Sequence, residues 1–244
     1  MGRHGTIAGR KAAQDSKRAA LFTKYAKAIT VAAKDGGDPE YNASLRVAIE
    51  KAKGISMPND NITRAIKKGT GELGGVSYEE LSFEGYGAGG VAVIVDCLTD
   101  NTNRTTSAVR SLFDKHGGNL GTPGCVSYMF SRKGVIEIEK TDEIDEDALM
   151  EAALEAGAED MITNEDSFEI QTDPGAYTDV YQSLKDAGYE FVDSDIQYVP
   201  SMESTPEDHD IKKLRKMIDA LEDNDDVQKV QTNCAVDIWA DDED

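Results

Sequence analysis

Hydrophobic positions follow two different periods along this chain. Over the first 75 residues, apolar side chains recur at intervals of three and four, which predicts helices that each bury one face. The pattern indicates a first helix over residues 10–34, a second around Leu45–Ala52 and a third around Ile62–Ile66. "GGDP" breaks the chain after the first helix, and a glycine-rich stretch ends the third. The N-terminal segment is therefore predicted to be a helical bundle.

From residue 78 onward, short β-branched runs alternate with helical segments. "YEELSFEGY", "GVAVIVDCL", "CVSYMF", "GVIEIEK", "SFEIQT" and "DIQYVP" are interpreted as strands, and helices are predicted between several of them. A final helix beginning at "STPE" and a last strand in "VQKVQTNCAVDIW" are left over at the C-terminus, where they can complete the first sheet. This alternation is typical of small α+β domains of ferredoxin-like type, with helices on one face of each sheet.

The predicted fold class is accordingly multidomain α+β. Residues 1–75 form a basic helical bundle with an N-terminal arm, residues 76–131 plus 205–240 form one α+β domain, and residues 132–204 form an acidic α+β domain inserted into it. The prediction depends on the C-terminal strand returning to the sheet that begins near Tyr78.

Three glycines match a nucleotide-binding pattern by spacing alone. Gly85, Gly87 and Gly90 in "FEGYGAGGVAVIVD" stand as G-x-G-x-x-G, which in a dinucleotide-binding fold follows a strand and opens a helix. Here strand-like runs lie on both sides. Without a following helix there is no N-terminus to hold a pyrophosphate, so we predict a turn between two strands and no nucleotide or cofactor.

Charge is distributed very unevenly. Residues 1–71 carry 14 Lys and Arg against 6 Asp and Glu, and the remainder carries 12 against 41, so the net charge of −21 divides into +8 and −29. On helical wheels, one set of cations lies away from the buried faces: Lys17, Lys24, Lys27, Lys34, Arg64, Lys67 and Lys68. A basic module on an acidic body favours nucleic acid docked at one end. The alternative is an ordinary basic domain beside an acidic one, and no clear helix-turn-helix turn supports duplex recognition.

Residues that could carry catalysis are sparse. Cys97, Cys125 and Cys234 lie in apolar runs and are interpreted as buried hydrophobic side chains, and the three histidines have no companion at metal-ligand spacing. The acidic run "DEDALMEAALEAGAED" is typical of a solvated helix face. We therefore expect no enzyme activity, metal, cofactor or small-molecule substrate. Without a signal peptide or a long apolar run, we expect a soluble cytoplasmic protein that does not enter membranes.

The polar segment "TDNTNRT" has two interpretations. Its side chains follow a buried strand and precede a helix, so they can cap that helix through Asx turns. Alternatively, Asn101, Asn103 and Arg104 contact a phosphate or a base edge at the helix N-terminus.

Longer segments resemble a known family. "RKAAQDSKRAALFTK", "MPNDNITRAIKKGTG", "FEGYGAGGVAVIVDCLTDNTNRT", "GGNLGTPGCVSYMF" and "DVQKVQTN" closely resemble, in this order, the segments that mark the YebC/PmpR family, over nearly the whole chain. The resemblance implies an N-terminal bundle and two α+β domains, the third inserted into the second. It implies a probable DNA-binding transcriptional regulator, while a mitochondrial relative and bacterial members are linked to translation. The arm departs from the family's usual G-H-S-K-W, because "GRHGTIAG" has neither its Trp nor its Lys.

The predicted function is a non-enzymatic nucleic-acid-binding regulator that makes several phosphate contacts, which would give strongly salt-dependent affinity. One alternative is a ribosome-associated translation factor that binds rRNA or tRNA, and another is a protein-interaction module whose acidic domains bind protein. The predicted contacts are Arg10, Lys11, Lys17 and Arg18 from the resemblance, Lys24, Arg64, Lys67 and Lys68 from the charge pattern, and Asn101, Asn103 and Arg104 from the polar segment.

Overall fold

The N-terminal part of the chain is helical. A computed structural model describes residues 18–75 and 77–239. Within them, helix α1 spans Arg18–Ala32 and continues as a short 3-10 turn, helix α2 spans Ala43–Gly54, and helix α3 spans Asn59–Gly69. Their shared core includes Met57 from the turn between α2 and α3, together with residues that recur at the helical period: Ile29, Ala33, Leu45, Ile49, Ala52, Ile62 and Ala65. The helical bundle is confirmed over the described residues.

The rest of the chain alternates strands and helices. In chain order these elements are β1 Glu79–Tyr86, β2 Ala92–Thr99, α4 Thr102–Lys115, β3 Asn119–Leu120, β4 Phe130–Glu139, α5 Glu146–Ala156, β5 Asp160–Thr163, β6 Ser167–Thr172, α6 Tyr177–Asp186, β7 Asp193–Pro200, α7 Asp208–Glu222 and β8 Val227–Thr232. They form two four-stranded antiparallel sheets, so the α+β class is confirmed.

The first sheet has the strand order β3-β1-β2-β8. Its last strand pairs with β2 from Val93 opposite Thr232 to Cys97 opposite Val227, so the C-terminal strand returns to the sheet that begins at β1. Helices α4 and α7 pack on one face, where Phe113, Leu214 and Met217 are completely buried. The second sheet, residues 130–200, lies between these two parts in sequence. The exact domain boundaries stay a prediction.

The second sheet has the order β5-β6-β4-β7 and the element sequence β-α-β-β-α-β, which is the ferredoxin-like arrangement. The first sheet is equally antiparallel but follows β-β-α-β-α-β, because it opens with the β1–β2 hairpin. The ferredoxin-like topology therefore describes residues 130–200 and not the first sheet.

The glycine-rich stretch is a hairpin turn, as predicted. β1 and β2 pair antiparallel from Glu79 opposite Thr99 to Tyr86 opposite Ala92. A single 3-10 turn joins them, in which Gly89 and Gly90 have φ of 71° and 73°, values that non-glycine residues rarely adopt. No α-helix begins at this turn, so the strand, glycine loop and helix of a dinucleotide-binding fold are not formed here.

Two strand predictions are wrong at their edges. The run "CVSYMF" does not form a strand: Ser127–Met129 is a 3-10 turn, and β4 begins only at Phe130. The cause is Glu84, whose carboxylate accepts hydrogen bonds from the backbone N–H groups of Gly124, Val126 and Ser127 at 2.8–2.9 Å, amides that strand pairing would otherwise use. The last strand ends at Thr232 instead of running to the Trp.

The cysteine interpretation agrees with the structure. Cys97 and Cys234 are buried and Cys125 is half-buried, all three as free thiols. Burial raises the pKa of Cys97 to about 12, which keeps this thiol protonated and unreactive at neutral pH. Among the described residues, no helix combines the length and apolar character needed to cross a bilayer.

Candidate nucleic-acid interface

The outer face of α3 presents three adjacent cations. Ile62 and Ala65 are buried in the bundle, and at 100° per residue Arg64, Lys67 and Lys68 lie on the opposite side of the helix. Arg64 and Lys67 are exposed and Lys68 is half-buried. Within the described part of the chain, their side chains have no hydrogen-bond or ion-pair partner. The charge pattern thus places three predicted residues on one solvent-facing surface, here called the α3 basic face.

The lysines of α1 are used differently. Lys24 Nζ donates to the backbone carbonyl of Glu222 at 2.6 Å, so this predicted contact residue faces the acidic body and not a ligand. Lys34 Nζ lies 3.4 Å from the carbonyl of Tyr78. The expectation that the side chain turns to solvent or ligand is wrong for Lys24, because the helical wheel identifies the bundle's own core but not the neighbouring domain that covers the opposite side of α1. Lys34 is exposed, as expected.

Lys27 is the most deeply enclosed of these cations. Its side chain retains only 10% of its accessible surface, and Nζ donates to Asp226 Oδ1 at 2.7 Å, to the carbonyl of Asp225 at 2.7 Å and to that of Leu98 at 3.3 Å. The contact joins α1 to the end of β2 and to the turn before β8. Lys27 is therefore an anchor between the bundle and the first sheet.

Asp226 is the centre of this anchor. Besides Lys27, its carboxylate accepts hydrogen bonds from Arg104 Nη2 at 2.7 Å and from Thr105 Oγ1 at 2.8 Å. Burial by itself would raise the pKa of Asp226, but the donors from Lys27, Arg104 and Thr105 outweigh it and lower the pKa to about 2. The carboxylate is ionised at neutral pH and satisfied by protein groups.

The polar segment before α4 acts mainly as a cap. Asn101 is the N-cap residue, and its side chain accepts the backbone N–H of Arg104 at 3.0 Å. The Arg104 guanidinium is held between Asp226 and Asp100, the latter at 2.9 Å. These carboxylates engage its Nε and Nη2 atoms, so a phosphate at Arg104 would have to compete with two negative charges already in place. Of the three predicted contacts in this segment, only Asn103 is exposed without such a structural partner in the described chain.

A second anchor connects α2 to both sheets. Lys51 on α2 and Lys229 on β8 each approach Asp195 on β7 at 3.4 Å. Burial would raise the pKa of Asp195, but these two ammonium groups outweigh it, and the pKa falls below its usual range. On the same side, Tyr181 donates its hydroxyl to Glu50 Oε2 at 2.8 Å. The orientation of the bundle is thus fixed at two separate places.

Some predicted contacts lie outside the described residues: Arg10, Lys11, Lys17 and the side chain of Arg18. The structurally important residues that sequence reasoning missed are Glu84, Lys51, Asp195 and Asp226. Each acts through partners distant in sequence, so no local pattern marks it. A search of the described residues finds no group of three His, Cys, Asp or Glu side chains positioned to hold a metal ion.

Two family models match this chain. The model for the TACO1/YebC N-terminal domain matches residues 3–72, and the model for the TACO1/YebC second and third domain matches residues 78–234. Among similar curated proteins, one from Clostridioides difficile is 55% identical over 97% of this chain and all of its own length, and one from Bacillus licheniformis is 55% identical over 93% and 95%. Both carry the name probable transcriptional regulatory protein. The crystal structure of a conserved hypothetical protein from Aquifex aeolicus superposes with a TM-score of 0.82, at 46% identity, over 90% of this chain and 91% of that one.

Proposed function

We propose that this chain, which belongs to the TACO1/YebC family, regulates gene expression by binding nucleic acid through the α3 basic face. The proposal has no catalytic step and needs no metal or cofactor. Relatives named as probable transcriptional regulatory proteins support a regulator, and their names favour DNA as the target. The proposed site is a basic protein surface that meets a phosphate backbone.

The observation that carries the proposal is the contrast between two sets of cations. Lys24, Lys27 and Lys51 make contacts that hold the bundle on the body, whereas Arg64, Lys67 and Lys68 have no protein partner among the described residues. Three neighbouring unpaired cations attract a polyanion, and each phosphate contact releases condensed counterions. Arg10, Lys11, Lys17 and Arg18, which precede or begin α1 in the sequence, are proposed as further phosphate contacts.

The acidic body restricts how nucleic acid can approach. The region beyond residue 71 has a net charge of −29, so a phosphate backbone is repelled from most of the molecule and attracted to the bundle. Because the two anchors hold the bundle in one orientation, the α3 basic face is presented in a fixed direction. This favours a docked complex with a defined geometry over loose electrostatic association.

Charge reversal on α3 tests the proposal. The triple variant R64E/K67E/K68E should bind duplex DNA and single-stranded RNA much more weakly than the wild type. The slope of log K against log salt should fall by about 2.7 for duplex DNA, which corresponds to three phosphate contacts at about 0.9 each. Fluorescence anisotropy across a salt series measures both quantities, and circular dichroism checks that each variant is folded.

A variant with the same change in charge supplies the control. Arg110 and Lys115 on α4 and Lys216 on α7 are exposed cations of the acidic body. R110E/K115E/K216E should retain the wild-type salt slope within about half a unit, since it changes net charge but not the proposed contacts. Equal loss of affinity in both triple variants would refute a specific α3 interface.

Co-sedimentation distinguishes the two target classes. Full-length protein is centrifuged with ribosomes over a range of salt concentrations, with duplex DNA added as competitor. Release onto DNA at modest concentration supports the transcriptional target, and retention that DNA cannot compete away means a translation factor. Weak, salt-insensitive binding to both would favour a protein-interaction module and refute the proposal.

A further inference from the structure

Tyr41 is the most exposed large hydrophobic side chain in the described part of the chain. It retains 89% of its accessible surface and lies in the loop between α1 and α2. Its phenol contributes to none of the packed clusters. An aromatic ring held in water on the basic domain is a surface feature that the fold itself does not use.

The loop that carries Tyr41 is held by hydrogen bonds from residues before and after Tyr41 in the sequence. Asn42 donates to the carbonyls of Ala32 at 2.7 Å and Gly36 at 2.8 Å, and its side chain accepts the backbone N–H of Leu45. The backbone N–H of Tyr41 itself donates to the carbonyl of Asp38 at 3.2 Å. Arg46 Nη1 adds a bond to the carbonyl of Pro39 at 3.3 Å. The backbone is thus already ordered, which lowers the entropic cost of using the ring in binding.

The same loop lies against the C-terminal end of α3. A Cβ atom placed on Gly37 would stand 2.6 Å from Thr70 Cγ2 and 3.4 Å from Ile66 Cγ2, so the loop backbone contacts the last turn of α3 on its Ile66 and Thr70 side. Tyr41 follows Gly37 by four residues, which limits the distance between their Cα atoms to about 14 Å. Tyr41 therefore lies toward the end of the bundle at which the last turn of α3, with Lys67 and Lys68, is also found.

We propose that Tyr41 stacks on an unpaired base while Lys67 and Lys68 contact the phosphates on one side of that nucleotide. Aromatic rings stack on bases of any sequence, and basic side chains track the backbone, which together is how single strands are bound. In a duplex the base faces are covered by their neighbours, so a projecting ring gains nothing. The inference rests on the proposed function and adds a preference for single-stranded segments.

Two acidic neighbours constrain the direction of the strand. Asp38 and Glu40 are both exposed, and the carboxylate of Asp38 also accepts the backbone N–H of Glu40 at 2.9 Å. A phosphate beside either carboxylate would be repelled, so the proposed strand leaves the ring on the side away from them, toward the cations of α3. Glu40→Gln should therefore tighten binding of a single strand, by about 2-fold for removal of one exposed like charge.

The test compares ring variants on matched probes. Full-length wild type, Tyr41→Ala and Tyr41→Phe are titrated against a short unstructured RNA, a strand of equal length with abasic sites, and a blunt duplex of the same sequence. Tyr41→Ala should weaken binding of the RNA by about 5- to 100-fold, as expected for the loss of one base stack, and Tyr41→Phe should remain close to the wild type. Affinity for the abasic strand and for the duplex should change by less than about 2-fold in either variant.

Tyr128 supplies the matched control, because it is an exposed tyrosine (67%) on the acidic body. Tyr128→Ala should bind all three probes like the wild type. Unchanged RNA affinity in Tyr41→Ala, or an equal loss on the abasic strand and the duplex, would overturn the stacking role. If K67E/K68E still abolishes binding in that case, the phosphate interface stands and only the stacking inference fails. If the wild type binds none of the probes at low salt, the proposed function fails and this inference fails with it.

Discussion

Replacing Lys27 by methionine should separate the bundle from the body more effectively than any change on the α3 basic face. Methionine retains an unbranched, flexible stem but has no ammonium group, so the donors to Asp226, Asp225 and Leu98 are lost together. The Asp226 side chain retains only 8% of its accessible surface, so water cannot readily replace the missing partner. The variant leaves a buried carboxylate with fewer donors.

The expected cost follows from the type of interaction. Removing one partner of a buried ion pair destabilises proteins by about 3–5 kcal/mol, chiefly because the remaining charge is left uncompensated. Asp226 keeps its bonds from Arg104 and Thr105, so we expect the lower limit, about 3 kcal/mol. An exposed ion pair, by comparison, contributes about 0–1 kcal/mol.

Urea denaturation with linear extrapolation measures this free energy of unfolding. Because a chain with several domains need not unfold in one step, hydrogen exchange of the α1 amides is followed in parallel to detect local release of the bundle. Lys53→Met is the control, since Lys53 is exposed on α2 and should change stability by less than about 0.5 kcal/mol. If Lys27→Met were as stable as Lys53→Met, with unchanged α1 exchange, the anchoring role would be refuted.

Three further changes test other parts of the structure. Glu84→Gln weakens the carboxylate bonds to the loop before β4 and should cost about 1–3 kcal/mol in thermal or urea unfolding, with the loop amides exchanging faster. Gly87→Val places a Cβ 2.7 Å from Leu214 Cδ1 and should lower the free energy of unfolding by about 1–3 kcal/mol. The wild type should bind neither NAD nor ATP, and measurable binding of either would contradict the interpretation of this stretch as a simple hairpin turn. The pKa of Asp226 is lowered from 3.8 to about 2 in the folded protein. The ionised carboxylate therefore stabilises the folded state fully above pH 3.8, and this stabilisation is lost as the pH falls through about 2. The stability difference between wild type and Asp226→Asn should therefore shrink by about 2 kcal/mol between about pH 5 and about pH 2, and a constant difference would contradict that shift.

Local periodicity was sufficient to predict most of the helices and strands. The bundle helices, the β1–β2 hairpin and α7 each have a strong hydrophobic period or clear turn residues, so their type follows from their own sequence. β5 was not predicted from the sequence, because it is a four-residue edge strand in which only Met161 is buried and apolar and polar positions hardly alternate. The turn at Ser127 escaped because a carboxylate more than forty residues earlier sets its geometry.

The candidate site was harder to predict than the fold, because its residues are distinguished by distant partners. A helical wheel places Lys27 and Lys67 alike, on the side away from the bundle core. They differ only because Asp226, which is 199 positions from Lys27, covers one of them. Arg104 is likewise captured by Asp226 across 122 positions. Sequence can therefore identify the cations of the bundle but cannot separate those that bind the body from those that remain free.

This distinction changes how mutants of α1 should be interpreted. Part of the positive charge of the N-terminal segment serves to hold it on an acidic body, so the charge asymmetry by itself overstates the surface available to phosphate. The substitution Lys24→Glu would remove the hydrogen bond from Lys24 Nζ to the carbonyl of Glu222 and would place a carboxylate against that carbonyl. Weaker nucleic-acid binding in such a variant would follow from a displaced bundle as readily as from a lost contact. Only positions such as Arg64 and Lys67, where the side chain is exposed and unpartnered within the described chain, allow loss of binding to be assigned to the interface itself.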